Sequence, residues 1–291
     1  MLWRKHTSSA GKKHPLSITP TSLIHLRSIS LKQERSNKNE FPFTVGIVQS
    51  LQEISFTAPV TFIVGENGSG KSTLMEGIAA AAGLPTIGSN DIQRDATLHH
   101  ARTLGSALKL TWNKRTHRGF FLRAEDFFNF VQRLNSTHQE LDEMVNEYEK
   151  TMSGYGLQLA RGTARSQQKQ QLEQYNGNLE ERSHGESFFA MFKARFVPNG
   201  LYIMDEPEAP LSPRRQYAFM FTLADMIRQN AQCIIATHSP ILMSFPGAQI
   251  LSVDNNRISE CTQSELDHIQ FTKTFLNNPD AFVRHLSDAD E

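Results

Sequence analysis

VTFIVGENGSGKSTLMEGIAAAAG, running from Val60 to Gly83, is the stretch whose reading decides the fold. It opens on an apolar run bounded by turn formers, the pattern of a strand buried on both faces. It closes on an Ala-rich segment that stops at Gly83, as a helix with a glycine terminator does. Between them Gly65 to Ser72 fits G-x-x-x-x-G-K-[ST] at every position, and a strand before with a helix after is the context that motif requires. Gly65, Gly68 and Gly70 permit the backbone angles that turn successive N–H groups, Asn67 and Ser69 among them, toward phosphate oxygens. The helix start at Lys71, Ser72 and Thr73 adds partial positive charge. Lys71 is expected to reach the β- and γ-phosphates of a nucleoside triphosphate, and the Ser72 hydroxyl to ligate Mg²⁺.

Working outward, LYIMDEPE from Leu201 to Glu208 predicts a second buried strand that ends on carboxylates. In a parallel sheet that end lies on the same edge as the phosphate loop. Asp205 is then expected to hold Mg²⁺, directly or through water, and Glu206 to polarise the attacking water. Alone, the motif also admits a reading as a solvated acidic loop, the lesser of the two; paired with the phosphate loop it reads as a site. IIATHSP places His238 at the end of a further buried strand.

The rest of the chain follows the same rules. Leu23 to Leu31 alternates apolar and polar residues, predicting a half-buried strand. FPFTVGIV (41–48), LQEISF (51–56) and LGSALKLTW (104–112) are read as strands. HRGFFLRAEDFF (117–128) is read as a strand passing into a helix near Asp126. Ser89 to His100 reads as loop, with His99 and His100 a polar pair rather than a metal site. Ser136 and Thr137, each with Gln or Glu three residues on, give a capping signal. Leu141, Met144, Val145, Tyr148 and Met152 then fall at helical spacing and are read as a core-packing stripe. Ser153 to Asn178 is rich in Gly and Gln, predicting a flexible, mildly basic loop or partly formed helix. A helix is predicted from near Ser187, and another from Ser212-Pro213 to about Asn230. A hairpin is expected to turn at Asn255-Asn256, and the C-terminus is helical.

Lys+Arg and Asp+Glu are both 30 in 291 residues, so the formal charge is zero, which argues against an overall footprint for nucleic acid. Cys233 and Cys261 are too few for a disulfide framework, and Cys233 reads as a buried reduced thiol. No run approaches the ~20 apolar residues of a membrane span, and the N-terminus carries Arg4, Lys5, Lys12 and Lys13 without the apolar core of a secretory signal. A cytoplasmic protein is expected. Residues 1–20 are read as a mobile basic tail and 21–291 as one domain, with 127–186 a helical lobe inserted in it.

Order and spacing of these motifs resemble those of the ABC-type ATPases. Arg182-Ser183-His184-Gly185-Glu186 stands where that family carries its signature loop. Asp205-Glu206-Pro207-Glu208 resembles its Walker B with the adjoining catalytic Glu, and His238 its switch histidine. Phe-Pro-Phe ahead of VTFIVGENGSGKSTL, GFFLRAEDFFN, SHGESF, LYIMDEPEAPLSP and ATHSPIL look like a family of small stand-alone bacterial ATPases, over most of the chain from about Phe41 onward. The DEPEAPLSP and THSPIL style is shared with SMC-like and DNA-repair or phage-defence ATPases. The resemblance implies an α/β P-loop NTPase fold: a mostly parallel central sheet, an N-terminal antiparallel β-region and a helical lobe bearing the signature loop. It implies ATP and Mg²⁺ as cofactors, Glu206 and His238 as catalytic groups, and Ser183, Gly185 and Glu186 as contacts to nucleotide across an ATP-dependent head-to-tail homodimer.

This chain departs from the family pattern at named positions. His184 replaces the first signature glycine, and Glu186 the usual Gln, as in SMC-like proteins. Ser212 stands where transporter ATPases carry an Asp. No glutamine marks the Q-loop: Arg123 or Glu125 occupies its place, and Gln93 lies too early. Phe43 is a candidate to stack on adenine.

Three functions compete. A soluble ATP-driven switch in DNA maintenance or phage defence, with a protein partner at the helical lobe, is favoured by the signature style. The alternative, the ATPase subunit of a membrane transporter, is disfavoured by the missing glutamine. A non-catalytic nucleotide sensor is disfavoured by the intact Glu206 and His238. The chain between Lys71 and Asp205 is too short for a coiled-coil arm.

Overall fold

The computed structural model describes residues 23–32, 39–87, 99–127, 129–130 and 184–287, with isolated positions between 143 and 162. Two sheets organise them. A six-stranded sheet has the order β5-β6-β7-β3-β8-β9, and a three-stranded sheet the order β2-β1-β4. The larger comprises β3 (Val60–Gly65), β5 (Gly119–Arg123), β6 (Leu201–Asp205), β7 (Gln232–Ala236), β8 (Gln249–Asp254) and β9 (Arg257–Glu260). All its neighbours run parallel except the β8–β9 hairpin. The smaller, of β1 (Leu26–Leu31), β2 (Glu53–Ser55) and β4 (Leu108–Trp112), is antiparallel throughout. The expected α/β architecture, with its antiparallel N-terminal region, is therefore present.

The parallel strands are mostly apolar because both faces are covered. Phe62, Val64, Phe120, Leu122, Tyr202, Met204 and Ile235 point to one side, where they pack with Phe188, Phe192, Phe219 and Leu223. Ile63, Phe121, Ile203, Ile234 and Ala236 point to the other, against Leu74, Ile78, Leu104 and the antiparallel sheet. The alternation follows from the two-residue period of a strand. Two buried glutamines join the sheets. Gln232 donates to the Leu26 carbonyl (2.9 Å) and accepts from the Leu26 amide (2.7 Å). Gln249 donates to the Ser55 carbonyl (3.0 Å) and accepts from the Thr57 amide (3.1 Å).

Several local expectations are corrected. Residues 41–48 are not a strand: they turn and enter a short helix, α1 (Gly46–Gln49). Phe43, Ile47 and Val48 are buried together, a spacing near four that suits one turn of helix rather than alternation. His99 and His100 do not lie in a loop but open a helix over His99–Ala107, so the strand expected from Leu104 begins only at Leu108. The helix expected from Ser187 begins at His184. Met144 and Met152 are 42% and 47% exposed, and neither joins the described core. Tyr148 is half-buried, and Leu141 and Val145 of the same stripe lie outside the described residues. Residues 1–20, the capping signal at Ser136 and Thr137, and most of the 127–186 lobe lie outside the described residues.

The hairpin turns at Asn255 (φ 47°) and Asn256 (φ 61°), the left-handed pair a tight turn needs and Asn tolerates. The helix over Pro213–Arg228 starts from Ser212 with proline in its first turn. Cys233 is buried and free.

Candidate functional site

The phosphate-binding loop leaves β3 at Gly65 and feeds α2 (Lys71–Ala82). Gly68 (φ +81°) and Gly70 (φ +90°) take left-handed conformations that cost an L-residue about 1–2 kcal/mol. Gly70 is also closed in. A Cβ there would lie 2.4 Å from Val45 Cγ1 and 2.6 Å from Ile47 Cγ2, which ties the loop to the segment before β2. Gly83 ends the helix at φ 68°, with the Leu84 amide donating to Ala79 (3.1 Å). Asn67 is exposed, while Ser69 and Thr73 are half-buried.

Lys71 is 5% exposed and curls over the loop, donating to the carbonyls of Gly65 (2.7 Å) and Glu66 (2.8 Å). Burial lowers its pKa below the ordinary lysine value, opposed by the charges of Asp205, Glu206 and Glu208. Those three come from the end of β6 and the turn after it. Strand order explains their approach. β7 lies between β3 and β6, with Ala236 paired to Ile63 on one side and to Asp205 on the other. The two motifs and His238 thus reach one sheet edge at one level, although far apart in sequence.

Asp205 is 7% exposed, and burial pushes its pKa up to about 6 even though the Ser72 hydroxyl donates to its carboxylate. Its Oδ1 is buried with no hydrogen-bond partner. A hydroxyl and a buried carboxylate oxygen with spare acceptor capacity fit Mg²⁺, which takes few protein oxygens beside phosphate. Glu206 follows with φ 50°, its amide donating to Ala236 (2.9 Å). This left-handed turn of a non-glycine residue separates its side chain from the buried Asp205. Glu206 Oε1 lies 3.7 Å from His238 Nε2, and both side chains are partly exposed. Burial lowers the His238 pKa and the Lys71 charge adds to that, against the pull of Glu206.

Two further groups complete the arrangement. Oε1 of Glu208 accepts from the Thr237 hydroxyl (2.7 Å) and from the His238 amide (2.8 Å). Burial raises the Glu208 pKa. Its presence in the DEPE motif was the available signal, but nothing in the sequence pairs it with residues 237 and 238. The second group is Arg123, level with Asp205 on the neighbouring strand. It binds Asp126 through two bonds, 2.8 and 2.9 Å, and lies 3.3 Å from Glu76 and 2.9 Å from Glu125. His100 lies 2.6 Å from the other oxygen of Glu76. Burial opposes the Arg123 charge, yet its carboxylates outweigh burial and raise its pKa. Of the two residues considered for the Q-loop place, Arg123 is the inward one; the Glu125 side chain is 67% exposed.

Two of the three signature residues lie among the described residues. Gly185 and Glu186 lie in the first turn of the His184–Arg195 helix, and Glu186 pairs with Arg215 at 3.5 Å. The charges acting on Lys71 come from Asp205, Glu206 and Glu208. Ser183 lies outside the described residues. Phe43 is 5% exposed and packed in the core, so it is no adenine platform.

The AAA-domain family model matches residues 44–201, more than half of the chain, and the chain belongs to that family of P-loop ATPases. A second model, described as an AAA domain, putative AbiEii toxin of a type IV toxin–antitoxin system, matches residues 187–244. No curated protein matches. Similar solved structures include a nucleotide-free ATP-binding cassette from an ABC transporter, at 15% identity over 86% of this chain and 95% of that one, with TM-score 0.45. The SMC head domain from Thermotoga maritima is 16% identical over 82% and 99%, with TM-score 0.36. An ATP-binding cassette of an ABC transporter in its ADP conformation is 16% identical over 90% and 98%, with TM-score 0.46. Among the described residues no helix is long and apolar enough to cross a membrane.

Proposed function

We propose that this chain binds ATP with Mg²⁺ and hydrolyses it, acting as a switch between monomer and a head-to-tail homodimer closed around nucleotide. One observation carries the reading: Lys71, the Ser72–Asp205 pair, Glu206 and His238 gather at one edge of one parallel sheet. Gly68 to Thr73 would cradle the phosphates through backbone N–H groups, with Lys71 leaving its carbonyl partners for the β- and γ-oxygens. Ser72 and Asp205 would hold Mg²⁺, whose charge would offset that of the phosphates. Glu206, partly exposed and turned away from Asp205, would take the proton of the attacking water. His238 would donate to the γ-phosphate, kept in line by Glu208.

Ser183, Gly185 and Glu186 would meet the nucleotide of the second subunit. Gly185 and Glu186 lie beside Arg215 on the helix after Ser212, a polar cluster that a second subunit's nucleotide could meet. For the cellular role we favour DNA maintenance or phage defence, as a protein that need not span a membrane. The toxin–antitoxin description carried by the second matching family supports the defence half of that reading. The outward-facing Met144 and Met152 support the helical lobe as the place where a protein partner docks.

The test is steady-state ATP turnover with Mg²⁺, with and without duplex and single-stranded DNA, beside light scattering of Glu206→Gln. Turnover in the wild type, its loss in the variant and accumulation of a variant dimer with ATP are expected. A variant that stays monomeric with ATP refutes the dimer. Turnover indifferent to DNA refutes direct action on DNA and turns the search to a protein partner, soluble or membrane-bound.

A further inference from the structure

The C-terminal segment brings an imidazole, His268, into the electrostatic neighbourhood of Lys71 and His238. After β9 a short 3₁₀ turn over Gln263–Glu265 leads into a helix spanning Asp267–Asn277. The turn is held by reciprocal capping of Thr262 and Glu265. Gln263 pins it to the loop after His238, its amide donating to the Pro240 carbonyl and to Ser244 Oγ, each at 2.8 Å. Leu266 and Ile269 are 6% and 1% exposed and sit in the core. His268 lies between these two anchors, in the first turn of the helix, so its backbone has little freedom to move away from the His238 loop.

His268 Nε2 is buried and has no hydrogen-bond partner, and the same holds for His238 Nε2. A buried polar atom without a partner calls for an explanation, and a ligand that supplies the partner is one. Its neighbours identify the ligand's character. Burial keeps the His268 imidazole below the ordinary histidine pKa; His238 and Lys71 push it the same way, and Asp267 opposes them. His268 thus feels both Lys71 and His238, the two cationic or hydrogen-bonding groups assigned to the phosphates.

We infer that His268 is a second imidazole ligand of the nucleotide's terminal phosphate, donating from Nε2 beside His238 and tying the C-terminal helix to the nucleotide state. The inference rests on the nucleotide site proposed above. A neutral imidazole with Nε2 protonated donates one hydrogen bond to a phosphate oxygen and, being uncharged, is not repelled by Lys71. The γ-phosphate is present in ATP and absent in ADP, so the contact discriminates between them.

The experiment measures binding of a non-hydrolysable ATP analogue and of ADP to the full chain with Mg²⁺, by titration calorimetry. His268→Ala is expected to weaken the analogue about tenfold, the value of one hydrogen bond to a charged group, with ADP affinity held within about twofold. His268→Gln, whose amide nitrogen falls near the place of Nε2, should restore most of the loss, while His268→Asn should not. Thermal midpoints of the three variants separate folding from binding. An unchanged ratio of analogue to ADP affinity in His268→Ala overturns the inference. So does failure of Gln to restore it at an unchanged midpoint. Wild-type protein that binds neither nucleotide overturns the nucleotide site itself; wild type binding both, with variants that keep the ratio, overturns His268 alone.

Discussion

Glu208 and His238 are joined by a hydrogen bond of 2.8 Å from the backbone amide of the histidine to Oε1 of the carboxylate. The same oxygen takes the Thr237 hydroxyl at 2.7 Å, so one atom fixes the turn that carries the imidazole. Glu208→Ala leaves both donors unpaired in a buried place and should cost about 1–3 kcal/mol of stability. By releasing His238 it should also lower turnover on the order of 10- to 100-fold. Glu208→Gln keeps an acceptor at Oε1 and removes a charge that burial disfavours. It should retain most of the stability and activity, which urea denaturation and steady-state turnover will check.

Arg123 and Asp126 form a bidentate pair with side chains 15% and 1% exposed. Arg123→Ala would strand the buried Asp126 carboxylate, a loss of about 3–5 kcal/mol. Removing both partners should recover a large part of this. A double-mutant cycle by urea unfolding is expected to give a coupling of about 2 kcal/mol or more; strictly additive single losses would show that the pair has no net worth.

Gly70→Ala combines a left-handed φ with a Cβ driven into Val45 and Ile47. The expected cost is about 2 kcal/mol or more, together with loss of nucleotide binding. Gly68→Ala shares the positive φ but meets no atom within 4 Å, so it should cost less. Equal thermal shifts for the two would contradict the role given to the packing at Gly70.

Asp205 has a folded-state pKa raised to about 6 by burial. A raised pKa means that the folded protein holds the proton more tightly than the unfolded chain. The stability linked to it is full below the unfolded value near 4 and is lost as pH rises through about 6. In the absence of Mg²⁺, Asp205→Asn should therefore match the wild type near pH 4 and become the more stable protein above pH 7. The gain should be on the order of 3 kcal/mol at most. Thermal unfolding across that range in the presence of a chelator will measure it; a gain that is largest at low pH would reverse the sign of the argument.

The phosphate loop, the strand before it and the helix to Gly83 were legible because the interactions that define them are local. A glycine-permitted turn, an apolar run and a helix stop lie within one stretch of chain. The second carboxylate motif and the Asn255-Asn256 hairpin were legible for the same reason. Reading failed where a few apolar residues fit either period. Phe43, Ile47 and Val48 served a helical turn rather than a strand. His99 and His100 were absorbed into a helix once His100 could pair with Glu76 on α2. The outward aspect of Met144 and Met152 could not be read from spacing, since spacing gives a common face but not what that face meets.

By itself the sequence determined a P-loop protein and singled out Lys71, Ser72, Asp205, Glu206 and His238 as its candidate chemical groups, since residue type and spacing carry that chemistry. Only the tertiary structure decided what surrounds them. Strand order set β7 between β3 and β6, which brought Glu208 under His238 and Arg123 level with Asp205. It also brought His268, from the end of the chain, to the electrostatic neighbourhood of Lys71. Those relations depend on which strands pair and which faces are covered, and pairing across long separations is fixed by burial of the whole sheet rather than by any short run of residues.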